Sequence, residues 1–126
     1  MKGKSGTNAL LIVCCVDIML VGLPRLFLSV GMAADGSFRE SLVMMGIFVL
    51  SLLGLVGVAF GKWTLLIAGL VGHVLIATSG IASILYGEFV PGFIASTACS
   101  LSVLVCALLP GVMRYVASGE SILDSD

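Results

Sequence analysis

The chain is poor in charge. Its 126 residues hold six Lys or Arg, seven Asp or Glu and one His, so 10% are charged where a soluble domain carries about a quarter. That scarcity excludes an ordinary water-soluble domain. A net charge of −1 excludes the basic stripe that nucleic-acid binding requires, so no nucleic-acid partner is expected. One histidine cannot supply the paired axial ligands of an ordinary bis-histidine haem, and no cofactor is expected. The four cysteines have no CxxC spacing and lie inside apolar runs, which argues against zinc or thiol-redox modules and against a disulfide between loops. No small-x-small cleavage site follows the basic start MKGKSGTNALLIVCC, so the first apolar run reads as a retained helix rather than a signal peptide.

Apolar residues are what the chain has in excess. They make up 60% of it, and mean hydropathy is +1.25. A bilayer crossing takes roughly 20 apolar residues, so about four crossings would use most of the length. The first segment runs from about 8 to 32 and stops at AADGSFRE, whose Asp35-Gly36 pair signals a turn. The second covers 41–60. Gly61-Lys62 interrupts the run, and a third segment, 63–86, is bracketed by the belt-type aromatics Trp63 and Tyr86. GEFVPG links it to a fourth, about 93–116, and a short acidic tail, 117–126, reads as disordered.

Runs of this length without polar alternation do not fit barrel strands. The expected fold is therefore a single all-α integral membrane domain, an antiparallel bundle of four transmembrane helices. With four crossings Lys2, Lys4, Lys62 and Arg114 fall on one side and only Arg39 on the other. The positive-inside rule then places both termini in the cytoplasm, with the plasma (inner) membrane as the expected location.

Polar residues inside apolar helices are costly and therefore informative. Asp17 falls near the middle of the first segment, where insertion costs about 2.5 to 3.5 kcal/mol unless the carboxylate finds protein or water. His73 lies about ten residues into the third segment, which enters from the same side, so the two are expected at one depth. They are the candidate proton- or ion-binding pair. Arg25 follows Asp17 by eight residues, about 12 Å along an α-helix and some 80° around it. It is expected to snorkel outward or to pair with Glu40 or Glu88 as an outer-mouth or salt-bridge residue. Pro24 beside it predicts a kink.

Small residues mark where helices approach. Gly54, Gly57 and Gly61 form a seam on the second segment, and Gly69, Gly72 and Gly80 form one with His73 on the third. Ala95, Cys99, Ser102 and Cys106 suggest a seam on the fourth. Cys14, Cys15 and Cys106 share the depth range of Asp17 and His73, and thiolate with imidazole suits a soft metal.

The Cys14-Cys15 pair in a first membrane helix resembles the mercury-transport membrane proteins, although Val16-Asp17 stands where that family has a nearby proline. The likeness implies soft-metal transport as a minor variant. In length and helix count the chain also resembles the small multidrug exporters, whose coupling acid lies in helix one. Asp17 would take that role, but as aspartate rather than glutamate and with only Phe27 as an aromatic in that helix. No enzyme is expected, because Ser79 and His73, six apart, point to nearly opposite sides of one helix. The expected function is an accessory or scaffold subunit packing against a larger membrane complex, with other membrane subunits or further copies of itself as partners. The alternative is a small oligomeric proton- or cation-coupled transporter or channel built on Asp17 and His73.

Overall fold

The computed structural model describes residues 2–88 and 91–119, and its described residues are helical with no strand. Helix α1 (Lys2–Asp17) passes through a π-helical turn (Ile18–Gly22) directly into α2 (Leu23–Ala34). There follow α3 (Phe38–Phe60), α4 (Trp63–Leu85), α5 (Pro91–Ala107) and a short α6 (Val112–Ala117). Three stretches are long and apolar enough to cross a membrane: Lys4–Ala34, Phe38–Phe60 and Trp63–Leu85. Less than two fifths of the most apolar part of each is buried, so most of the helical surface is apolar and turned outward. A bilayer is the solvent that such a surface fits.

The links are closed by one device. Ser37 N–H bonds to Met32 O, Lys62 N–H to Gly57 O, and Glu88 N–H to Ser83 O, each a six-to-one closure of the preceding helix. In every case the residue just before the donor is a glycine at positive φ: Gly36, Gly61 and Gly87. This is the Schellman cap, which reverses the chain within two or three residues and forces antiparallel neighbours. Gly61, which is buried, makes this turn at φ +66.

The other seam glycines meet their neighbours at backbone distance. A Cβ on Gly54 would lie 3.0 Å from Gly69 Cα, and one on Gly69 would collide with the Gly54 backbone. Gly57 abuts the backbone of Leu65 and Leu66, and Gly72 lies against Leu50. Together they hold α3 and α4 tightly together near the Gly61-Lys62 turn. Gly80 packs instead against Thr97 of α5.

The segment expected as one helix over 93–116 is broken. α5 ends at Ala107, residues 108–111 turn, and α6 folds back against α1, where Val112 reaches Gly6. Pro110 has no N–H to continue the ladder, and Gly111 sits at φ +83. The fold-back buries Val112 and Val116 completely. With Leu10, Cys14, Val58, Leu66, Val103 and Ala107 they form an apolar plug at the end of the bundle that carries Lys62. The expected acidic tail, from Glu120 on, and Phe89-Val90 of the third link lie outside the described residues.

Candidate functional site

The first helix changes its winding at its most polar point. Asp17 closes α1, and Leu23 N–H bonds to Ile18 O, five residues back, which defines the π turn. Pro24, immediately after it, has no N–H for the carbonyl of Leu20, and its ring would crowd that carbonyl in a regular helix. The wider turn accommodates it. A π turn absorbs one extra residue, so α2 is rotated by about 100° relative to an uninterrupted helix. The 80° expected between Asp17 and Arg25 thereby falls to roughly 20°. Leu10, Cys14, Asp17, Gly22 and Ser29 are buried and Arg25 half-buried along one continuous stripe.

Asp17 and His73 stand side by side, 3% and 2% exposed. Asp17 Oδ2 lies 3.8 Å from His73 Nε2, beyond hydrogen-bonding reach but within ion-pair range. On its other edge His73 Nδ1 is 3.1 Å from Ser100 Oγ, and Ser100 is completely buried. With Nε2–H facing the carboxylate, Nδ1 accepts from the Ser100 hydroxyl. Asp17 Oδ1 is buried with no hydrogen-bond partner among the described residues. π turns recur at functional positions in helices, and here one begins directly after the buried acid.

Carboxylate, imidazole and hydroxyl in this order are also the parts of an acyl-transfer triad. All three are buried in the packing. Ser100 has no exposed surface, and the cavity beside Arg25 is lined by neither Asp17, His73 nor Ser100. The three lie side by side where α1, α4 and α5 meet.

Arg25 does not snorkel. Its guanidinium turns inward and donates to Ser96 Oγ at 2.5 Å, not to Glu40 or Glu88. It borders a cavity of about 380 Å³ between α2, α3, α4 and α5, with Ile76 and Ser96 roughly one helical turn from His73 and Ser100. The bundle thus runs from the apolar plug, through the Asp17–His73–Ser100 layer, to the arginine cavity.

Ser96, Thr97 and Ser100 are buried polar residues that the seam expected on α5 passed over. Ala95 and Ser102 are exposed, and Cys99 and Cys106 only half-buried. Hydroxyls on this helix occur on both faces, since Ser102 is exposed and donates to Ala98 O, so residue type alone did not select the buried set. The cysteines do not assemble with Asp17 and His73: Cys14 is buried, Cys15 is exposed, and no group of three or more potential ligands gathers among the described residues. No family model, curated protein or solved structure matches the chain, so the functional reading rests on this geometry.

Proposed function

We propose that this chain is a non-enzymatic accessory or scaffold subunit of a larger membrane assembly, crossing the membrane four times with both termini in the cytoplasm. The observation that carries this reading is the burial of Asp17, His73 and Ser100 between the apolar plug and the cavity, where three helices meet and none of the three lines that cavity. Buried polar contacts of this kind fix which helices meet and in what register. The outward faces remain apolar and the links minimal, as suits a bundle surrounded by lipid and other helices. The test is purification of the tagged chain from its native membrane in a gentle detergent at natural expression, with mass spectrometry of the proteins that stay bound. Stoichiometric larger membrane subunits are expected. A clean homo-oligomer would refute the subunit reading.

One observation favours a second reading, a proton- or cation-coupled transporter or channel. Asp17 Oδ1 is a buried acceptor left unpaired beside a π turn. An acid held in that condition is suited to bind and release a proton or cation as the turn rewinds. In reconstituted vesicles Asp17→Asn is then expected to abolish cation-dependent flux while leaving the fold intact. Undiminished flux would eliminate this role for Asp17.

A further inference from the structure

The cavity around Arg25 has the chemistry of a binding site, independent of the subunit reading. A guanidinium offers five N–H donors in a planar fork suited to a carboxylate or phosphate. Arg25 spends them on one hydroxyl, Ser96, and no carboxylate lies within 4 Å of it among the described residues. It is half-buried among apolar helices, where a cation is costly without a counter-charge. Ser79 and Ser83 of α4 add hydroxyls on the same cavity, so its polar lining is one guanidinium with hydroxyls that can each donate to an anion.

The rest of the lining is hydrocarbon. Val43, Met44 and Ile47 of α3 and Leu75 and Ile76 of α4 line the cavity beyond the Gly54–Gly69 contact. Val43 and Leu75 are 57% and 55% exposed, so the rim opens on the apolar outer surface of the bundle rather than along its axis. A volume of about 380 Å³ falls in the roughly 300–1,000 Å³ range of small-ligand sites, enough for a head and the first carbons of a chain. Arg25 is roughly 10 Å further along its helix than Asp17 once the π turn is allowed for, towards the headgroup level.

We propose that this cavity binds an anionic lipid from the bilayer. Its carboxylate or phosphate head lies against Arg25 and the neighbouring hydroxyls, and its hydrocarbon leaves between α3 and α4. The lipid supplies a contact partner for the guanidinium, which Asp17 influences electrostatically but does not touch.

The test is native mass spectrometry of the full chain in a neutral detergent, titrated separately with oleate, phosphatidylglycerol and inorganic phosphate. Oleyl alcohol and phosphatidylcholine serve as uncharged-head and net-neutral controls. One equivalent of oleate or phosphatidylglycerol is expected to bind at least tenfold more tightly than its control. Retention of oleate assigns a carboxylate head, and retention of phosphatidylglycerol alone assigns a phosphate head. Arg25→Gln should weaken that binding at least tenfold. Ile47→Trp, which keeps the arginine and fills the cavity, should do the same if the glutamine variant does not fold. Equal binding by wild type and both variants would overturn the site. Inorganic phosphate binding as tightly as either lipid, or controls binding as tightly as the anions, would overturn the lipid assignment.

Discussion

A histidine in the interior of a membrane bundle has two ring nitrogens to satisfy, and His73 faces a different helix with each: Asp17 of α1 through Nε2 and Ser100 of α5 through Nδ1. The asymmetry of hydrogen-bond energetics makes the serine testable. Ser100→Ala leaves Nδ1 buried and unpaired, a loss of about 1 to 3 kcal/mol, whereas His73→Leu also takes the imidazole away from the buried Asp17 carboxylate. Ser100→Ala is therefore expected to lower the unfolding midpoint in detergent, and the His73→Leu/Ser100→Ala double variant to lose less than the sum of its two single variants. A single variant as stable as wild type would show that this bond contributes nothing. Asp17, His73 and Arg25 were legible in the sequence because ionisable groups stand out in apolar runs. The hydroxyls were not, for a physical reason. Serine and threonine in helices satisfy themselves on the preceding turn, as Thr78 does on Val74 O and Ser102 on Ala98 O, so their presence does not mark a face.

The elements show the same division between what composition announces and what geometry adds. Three long helices follow directly from uninterrupted apolar length. The π turn does not, because its signal is only Pro24, and a proline announces a disturbance without saying whether the helix bends or widens. Widening is what brings Arg25 inside, and an angle counted at 100° per residue misses it. Pro110-Gly111 carried a usable cue, a turn pair inside an otherwise apolar run, and the chain reverses there. Glycine seams were legible in position, but their consequences differ from site to site. Gly69→Ala drives a Cβ into the Gly54 backbone, which cannot yield as a side-chain tip can. Such overpacking costs about 1 to 3 kcal/mol. A Cβ added to Gly46, also on α3, would meet nothing within 4 Å, so Gly46→Ala is expected to be neutral or stabilising by up to about 1 kcal/mol through helix propensity. Paired unfolding measurements on the two variants separate backbone contact from propensity. Equal effects would mean that the α3–α4 crossing tolerates a methyl group.

Across the whole molecule, polarity changes with level along the bundle. The apolar plug and α6 close the end holding Lys4, Lys62 and Arg114, the Asp17–His73–Ser100 layer lies in the interior, and the arginine cavity lies towards the end with Arg39. A cationic rim beside a closed end suits the cytoplasmic side, since translocating several lysines and arginines is disfavoured. The number of crossings then turns on α5, whose 17 residues measure about 25 Å, short of the roughly 30 Å hydrocarbon core. Local thinning of the bilayer accommodates a deficit of that size at modest cost. The antiparallel packing of α5 against α1 carries the chain back to the level of Gly6, where Val112 meets it, so Ser118 should emerge on the same side as Lys62. Single cysteines in a background with all four native cysteines replaced by alanine decide the point. Lys62→Cys and Ser118→Cys are expected to react with an impermeant maleimide only from the cytoplasmic face, and Asp35→Cys and Glu88→Cys only from the opposite one. Ser118→Cys labelled together with Asp35→Cys would reduce the count to three crossings and place α5 in the interface. Lys62→Cys labelled from outside would invert the molecule and turn the arginine cavity towards the cytoplasmic leaflet, where the anionic lipids of a plasma membrane are concentrated.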